Sequence, residues 1–576
     1  MFNREIADIF EKMGTLLEIK GEIIFKTRAY FKAAEAIASL SEDIAAIKNE
    51  GRLRDIPGIG KELEAKIIEY LDTRKMSAYE KLTKEVPETL LDIVNVPSVG
   101  PKKAKLFFDE LKIKSVPELK KAAETGKLAQ LPKFKEKTIE NILKGIAVIE
   151  QGQKRMNLGT ATQVAEAVVR QLKEIKGVEA IVPAGSLRRG SETVGDIDIL
   201  AIVKDPAKVM DAFVKLPEVK NVNAHGETKS SILTHDNIQV DLRIVEKESF
   251  GAALLYFTGS KNFNVKIRQI AIRENKKVNE YGVFSVRGKK EKLLAGKTEE
   301  ECFKALRMPY IPPELREDIG EEKLFGGNDP REIPKLIELQ DIQGDLHAHS
   351  TYSDGHNTIA QMAEAARNKG YQYLAMTDHS PRLFVARGVS VEDLVKKKKE
   401  IDALNNNLKG FRVLYGTEVE IDTEGNLDYN DTVLSEFDFV IAAIHSGFTQ
   451  DTQKLTKRVL RAIQNKNVNM LAHPTGVHLG KREPYDLDFK TVCRAAVEHN
   501  VFLEINAFPI RLDLNSTNAY YAREQGVKFA INTDSHRIEH LEHMCYGVTV
   551  ARRAWLTKEN VLNTRPLPEL LKILKK

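Results

Sequence analysis

From residue 344 onward the chain alternates short apolar runs with helical ones, and the apolar runs keep leading into residues that bind metals. The run at 344–349 carries His347 and His349, two positions apart and therefore on one face of a strand, with Asp354 in the loop beyond. Runs at 373–377, 412–416, 439–444, 468–472, 501–505 and 528–532 lead to His379, Glu418, His445, His473, Asn506 and the pair Asp534 and His536. Alternating β and α units favour parallel strands. Seven such strands with polar residues at their C-terminal ends predict a barrel whose loops carry a site. Six histidines, two aspartates and one glutamate at equivalent places exceed what one ion needs. Two or three ions, Zn²⁺ and/or Mn²⁺, are expected, able to generate hydroxide and clamp a phosphate ester. His356, His478, His499, His540 and His543 fall off this pattern.

Histidine usage divides the chain: 11 of 13 lie at or beyond residue 347. Charge divides it too. Residues 1–316 hold 55 Lys and Arg against 46 Asp and Glu, a net of +9, and the remainder nets −4. The basic excess thus belongs to the first half, where a phosphate-rich partner would bind. The chain has 576 residues, so two to five domains are expected. Its three cysteines are isolated and form no metal or disulfide spacing, which fits a reducing cytoplasm. No signal core or long apolar run appears, so no membrane role is expected.

A second chemistry is written at 185–198, which reads Gly-Ser-Leu-Arg-Arg-Gly-Ser-Glu-Thr-Val-Gly-Asp-Ile-Asp and leads into an apolar strand at 199–203. Asp196 and Asp198 share a strand face. Asp241 lies in another β-like run, 238–245, followed by Arg243 on the same face. If the two strands are neighbours, three carboxylates converge and require cations. Hard ions such as Mg²⁺ take a few carboxylates plus substrate phosphates. Two such ions activate a hydroxyl and stabilise a departing pyrophosphate. Gly185 and Ser186 open a turn whose N–H groups can face phosphate.

Residues 1–150 read as small helices, with helical spacing at 6–19, 30–40 and 63–71. Between helical runs stands Ile56-Pro57-Gly58-Ile59-Gly60-Lys61, and again Val96-Pro97-Ser98-Val99-Gly100-Pro101. This is the helix-hairpin-helix pattern. Its glycines let the backbone approach a DNA phosphate at a helix N-terminus, which positions DNA without reading sequence. Gly58, Gly60, Val99 and Gly100 are the candidate contacts. A third copy, Leu131-Pro132-Lys133-Phe134-Lys135, has lysines where glycines are expected and is read as degenerate.

The Gly-Ser … Asp-x-Asp … Asp arrangement resembles the nucleotidyltransferase signature of family X DNA polymerases. The resemblance implies that Asp196, Asp198 and Asp241 bind two Mg²⁺ or Mn²⁺ ions, with Asp241 the general base for the primer 3′-hydroxyl. It implies that Ser186, Arg189, Gly195 and Arg155, with Gly185, hold the triphosphate. The stretch Tyr256-Phe257-Thr258-Gly259 resembles the segment lying along the incoming sugar, Asn264 a residue near the base edge, and Lys261 replaces an acidic residue of the animal repair enzyme. Residues 1–85 resemble the small lyase domain of these polymerases. On that match Lys66 stands at the Schiff-base position, supported by Lys26, Tyr30 and Lys32, although Glu62 occurs where a basic residue is expected. The C-terminal half resembles the PHP phosphoesterase domain, a distorted seven-stranded barrel with three metals, and retains every ligand: His347, His349, Asp354, His379, Glu418, His445, His473, Asp534 and His536.

The whole chain therefore resembles a bacterial or archaeal type family X DNA polymerase with a C-terminal PHP domain. The expected fold class is multidomain, α+β and α/β. It comprises a helical lyase-like domain (1–85), a second helical subdomain (86–150), a nucleotidyltransferase palm (151–250), a nascent base-pair subdomain (251–316), a linker or wrapped segment (317–340) and a distorted (β/α)7 barrel (341–576). The expected function is gap filling in base excision repair, with 3′–5′ exonuclease or 3′-end cleaning in the barrel and abasic-site incision as a further reaction. Expected partners are gapped or primer-template DNA, bound without sequence preference, and dNTPs; a monomer is expected. Two rivals are a DNA-binding scaffold with a structural metal barrel, and a nucleotidyltransferase fused to a small-molecule phosphatase.

Overall fold

The computed structural model describes residues 2–574 apart from 39, 41–42, 57, 97–98, 132–133, 153–154, 289, 318 and 320–332. Pro57, Pro97, Ser98, Pro132, Lys133, Lys154 and the Gly326–Pro330 stretch of the linker lie outside the described residues. The chain forms two compact units, residues 1–153 with 480–482, and 154–479 with 483–576.

The first unit is helical. Phe2–Lys20 and Ile24–Ala38 pack against each other, and Phe10, Ile37, Ile67, Ile93 and Phe107 share one buried core. The first hairpin joins a short 3₁₀ turn, Leu53–Asp55, to the helix Lys61–Thr73, and the second joins Leu90–Val94 to Pro101–Leu111. Gly58 has φ +86°, a conformation open to glycine at little cost. The degenerate third copy serves packing: Phe134 is buried, its ring 5.2 Å from that of Phe107.

The second unit begins with β1 (Met156–Asn157), and Asn157 caps the helix Leu158–Lys173. Next come β2 (Val178–Pro183), β3 (Thr193–Val194, paired to β1), β4 (Asp196–Val203), β5 (Val219–His225), β6 (Lys229–Thr234) and β7 (Gln239–Ile244). Five of these strands form a mixed sheet in the order β2-β4-β7-β6-β5, with β4 and β7 parallel at its centre. The expected strand at 199–203 thus starts earlier, and both members of the Asp-x-Asp pair lie on it. Helices Phe250–Thr258 and Lys261–Arg273 follow, then an antiparallel three-stranded sheet of β8 (Lys276–Asn279), β9 (Gly282–Arg287) and β10 (Lys290–Ala295).

Seven parallel strands complete the unit: β11 (Gly344–Ala348), β12 (Tyr373–Met376), β13 (Arg412–Glu420), β14 (Phe439–Ala443), β15 (Met470–Leu471), β16 (Phe502–Asn506) and β17 (Phe529–Asn532). They pair in sequence order, and a parallel bridge from Ala348 to Ser535 nearly closes the barrel. Buried on both faces, the strands read as continuous apolar runs. Helix starts are set by side-chain caps at Thr358, Ser390, Asp451, Asp488 and Asn515. Two boundaries differ from expectation. β13 runs to Glu420 rather than 416 because β12 pairs with its first half and β14 with its second. β15 shrinks from the expected 468–472 to two residues. Ile197 and Ile199 of the mixed sheet share one core with Val413, Val440 and Ile531 of the barrel.

Two candidate metal centres

The parallel pairing of β4 with β7 sets Asp198 opposite Asp241, and Asp196 lies on the same face one pleat earlier. Burial, then the charges of Asp196 and Asp241, push the Asp198 carboxyl up to about 6, against the pull of Arg243 and Lys229. Burial works to raise Asp241 as well. There it is outweighed by donors from Ser231 (2.6 Å), Lys229 (2.9 Å) and Gln239 (3.0 Å), which hold the carboxyl below its ordinary range. Two neighbouring carboxylates are therefore tuned apart. Lys229 and Ser231 escaped the sequence reading; their only signal was the alternation of β6, where a lysine passes for a solvated face.

The turn over these carboxylates needs glycine. Gly185 has φ +61°, and a Cβ there would lie 2.6 Å from Asp198 Oδ2. The turn Gly185–Arg188 carries Ser186, and Gly195 precedes β4. Arg188 bonds Thr258 and forms a two-pronged pair with Glu299, so its role is structural. Arg189 donates to Glu317 (2.8 Å) and to the Thr258 carbonyl (2.9 Å). Glu317 in turn accepts from Arg553 (2.9 Å), which also reaches the Arg189 carbonyl. Arg155 is held on Thr193 by two bonds.

The Tyr256 and Phe257 rings meet edge to face, and the Arg243 guanidinium lies 4.6 Å from the Phe257 centroid with its Nε buried and unpartnered. Asn264 donates to the carbonyls of Tyr256 (2.7 Å) and Gly259 (3.2 Å), tying the helix end in place. Lys261 stands exposed at the start of the helix capped by Ser260.

In the first unit a Cβ at Gly60 or Gly100 would meet nothing within 4 Å, and each begins a helix without a side-chain cap. Their helix ends are open to an anion. Val99 buries its side chain and gives its N–H to the Val96 carbonyl. Lys66 donates to Glu62 (2.6 Å), and its ammonium lies 5.9 Å from the Tyr30 centroid. Lys26 pairs with Glu22, and Lys32 backs Gly58.

In the barrel all nine expected ligands meet. Around Glu418 lie His379 Nδ1 (2.9 Å), His473 Nε2 (3.0 Å), His347 Nε2 (3.3 Å), His445 Nε2 (3.4 Å) and His349 Nε2 (3.6 Å), of which His473 alone makes a hydrogen bond to it. Asp534 lies 3.2 Å from His349 and Asp354 lies 3.4 Å from His536. Three overlapping groups have ligand atoms close enough for one ion each: His349, Asp354, His379 and His536; His347, His349 and Asp534; His379, Glu418 and His445. His347 Nε2, both ring nitrogens of His349, Asp354 Oδ1, Glu418 Oε2 and His473 Nδ1 are buried without hydrogen bonds. Orphaned nitrogen and oxygen donors converging in one cavity fit divalent metal ions.

Sequence reasoning missed what orients these ligands. Glu504 accepts from His347 Nδ1 and Glu420 from His445 Nδ1, each at 2.8 Å, while His536 Nδ1 meets the Asp534 carbonyl. Such partners fix which ring nitrogen faces a metal. Glu420 lies two residues beyond Glu418 on one strand face, the signal that could have found it. His540, left out as off-pattern, stands beside the site: its Nδ1 accepts the His536 N–H, and burial pushes its imidazole down to about 4. Beneath the cluster, fully buried Lys397 binds Asp378 (2.8 Å) and the carbonyls of Met376 and Gly416 (each 2.9 Å). Lys397→Met leaves Asp378 charged and buried without its cation, held by Ser350 and Ser353 alone, and is expected to cost about 3–5 kcal/mol of stability. Urea unfolding measures it; a loss below about 1 kcal/mol would show the pair to be dispensable.

Four family descriptions match the chain: a helix-hairpin-helix domain over residues 1–76, a SAM-like helix-hairpin-helix tandem over 88–147, a DNA polymerase beta thumb over 253–317 and a PHP domain over 345–507. The chain is 40% identical to the DNA polymerase/3′-5′ exonuclease PolX of Bacillus subtilis (strain 168), aligned over 100% of both. It is 33% identical, over 38% of its own length and 89% of the relative's, to a probable phosphatase of Thermoanaerobacter sp. (strain X514). A probable phosphatase of Caldanaerobacter subterraneus subsp. tengcongensis is 28% identical over 38% of this chain.

Proposed function

This chain belongs to the family X DNA polymerases that carry a C-terminal PHP domain, and on that premise we propose a repair enzyme that fills short gaps at the Asp198–Asp241 site and trims 3′ ends in the barrel. It is a DNA polymerase and a 3′–5′ exonuclease; both activities imply divalent metals, and the hairpin and thumb domains imply bound DNA. The observation that carries the division of labour is the separation of two carboxylate systems, one on β4 and β7 and one at the ends of the barrel strands.

In the palm, Asp196, Asp198 and Asp241 are the residues to hold two Mg²⁺ or Mn²⁺ ions. Bound there, such ions would neutralise the carboxylates and favour the ionised primer hydroxyl. Asp241, kept ionised by its donors, is the acceptor for the proton of that hydroxyl. Gly185, Ser186, Gly195, Arg155 and Arg189 receive the triphosphate of a dNTP, Arg189 exchanging Glu317 for phosphate while Arg553 keeps Glu317 in place. Tyr256, Phe257 and Gly259 lie along the sugar, and Asn264 holds that segment rigid. Gly58, Gly60, Val99 and Gly100 grip the DNA backbone without reading sequence. Lys66, with Lys26, Tyr30 and Lys32, carries lyase activity on abasic ends. In the barrel, the nine ligands hold two or three Zn²⁺ and/or Mn²⁺ ions, and abasic-site incision is a further reaction of that centre. The chain acts as a monomer in the cytoplasm, where its DNA lies. Among the described residues no helix is long and apolar enough to cross a membrane.

Lys261 places a cation beside the nucleotide, so Lys261→Asp is expected to weaken dNTP binding about tenfold, read by fluorescence titration without template. An unchanged dissociation constant would remove Lys261 from the site. The repair reading is tested by a one-nucleotide gap with a downstream 5′-phosphate against an open primer-template; faster filling of the gap supports it, and equal rates would sink it. The likeness of the barrel to probable phosphatases favours a second substrate, a 3′-phosphate end, tested by release of phosphate from a 3′-phosphorylated primer.

A further inference from the structure

Beside the barrel ligands stands a feature that the two reactions leave unexplained. The cavity at the metal centre, about 220 Å³, is lined by Asp354, His379, Glu418 and His536 on one side and by Leu383, Val385 and Ala386 on another. Val385 and Ala386 of that wall belong to the 3₁₀ turn Phe384–Ala386, which Leu383 precedes; Phe384, next to Val385 and outside the lining itself, is 84% and Val385 96% exposed. Among the described residues these are the most exposed large apolar side chains.

The turn is held, not loose. The Val389 N–H donates to the carbonyl of His379, itself a candidate ligand, at 2.8 Å. Leu383 and Ala386 close the turn through N–H bonds to Ser380 and Leu383. Arg382 anchors its near end, its N–H on Asp428 and its guanidinium on Asp422. Gly388 passes so close to Ser380 that a Cβ would lie 1.9 Å from the Ser380 carbonyl oxygen. A rigid turn that keeps an aromatic ring and a branched side chain in water gives up their burial energy. Arg511, which also lines the cavity and lies 3.5 Å from Asp534, offers a cation to a phosphate.

We propose that Phe384 and Val385 are a stacking platform for the terminal base of a DNA strand, seating its last phosphodiester between the ligand cluster and Arg511. The inference rests on the nuclease reading of the barrel and adds its specificity. Stacking needs a base free of its complement, so the platform selects unpaired over paired 3′ ends. Any base offers a π-face, so it selects no sequence.

The test uses the full-length, metal-loaded protein and two single strands, one ending in a normal 3′ nucleotide and one ending in a 3′ abasic analogue. Phe384→Ala/Val385→Ser is expected to raise KM about tenfold on the normal end with little change in kcat, and to leave the abasic end unaffected. Phe384→Trp/Val385→Ser is expected to regain the preference that the first double variant loses. A second readout uses the metal-free protein in EDTA, where no turnover occurs: a 3′-terminal 2-aminopurine is quenched when the strand binds, and the double variant relieves the quench. Equal losses on both ends, or no loss on either, would overturn the platform. A wild-type protein that shortens neither strand would overturn the nuclease reading and the platform with it. Loss of normal-end preference without loss of quench would assign the turn to some other partner and also overturn the proposal.

Discussion

Asp198→Asn is expected to lower primer extension by about a thousandfold or more and to leave the shortening of 3′ ends at its original rate. The substitution keeps the shape of the side chain and removes one charge from a site where Asp198 stands opposite Asp241 in register. The loss is therefore of cation binding rather than of fold. A second measurement on the same variant checks the electrostatic cause. In the folded, metal-free protein the Asp198 carboxyl is pushed up to about 6 from 3.8, chiefly by burial and then by Asp196 and Asp241. A carboxyl raised in the folded state is favoured when protonated. Its ionisation costs nothing near pH 4, costs progressively more between pH 4 and 6, and costs the full amount above pH 6. Metal-free Asp198→Asn is thus expected to be more stable than wild type by about 1–2 kcal/mol above pH 6, after discounting for partial solvent screening, with the gap closing towards pH 4. A gap that widens on acidification would contradict the assigned cause.

His349→Ala is the reciprocal case. His349 is fully buried, belongs to two of the three ligand groups, and has both ring nitrogens unpartnered. Its removal is expected to abolish 3′-end shortening, lower the metal content of the purified protein by at least one ion per chain, and leave primer extension intact. The readouts are elemental analysis and a gel assay on one labelled primer. Full metal content with lost hydrolysis would make His349 something other than a ligand. Unchanged hydrolysis would remove the barrel from the nuclease reaction.

The two centres were not equally legible in the sequence. In the barrel each ligand follows an apolar run, and a parallel barrel brings the C-terminal ends of its strands to one face, so His379, His445 and His473 could be placed before any coordinates. Glu418 was expected just beyond a strand ending at 416. It lies inside β13 instead, because the staggered ladders to β12 and β14 extend that strand by four residues. Alternation still pointed it inward, so the site survived the error in the boundary. In the palm, the shared face of Asp196 and Asp198 was readable from spacing, and the closeness of Asp241 only from the resemblance, since nothing local states that β4 and β7 are neighbours.

The supporting residues were the least legible. Glu504 stands in an apolar run, Lys397 among four consecutive lysines and Lys229 in a polar stretch, and in each place a charged residue reads equally as a solvated side chain or a buried partner. Arg189 meets Glu317 across 128 positions, and Arg553 reaches Glu317 across 236. Such pairs are fixed by the packing of the mixed sheet against the barrel, which a pattern of residues along the chain does not encode. Phe384 and Val385 were silent for the opposite reason: two apolar residues in a loop suggest burial, and only their exposure, with Val385 on the wall of the ligand cavity, gives them meaning.

The most direct test follows one labelled recessed primer, with Mn²⁺ and dNTPs and again with Mn²⁺ alone, in wild type, Asp198→Asn and His349→Ala. Two independent centres predict that wild type lengthens the primer with dNTPs and shortens it without them, that Asp198→Asn only shortens it, and that His349→Ala only lengthens it. Loss of both reactions in either variant, or neither reaction in fully metal-loaded wild type, would contradict the account.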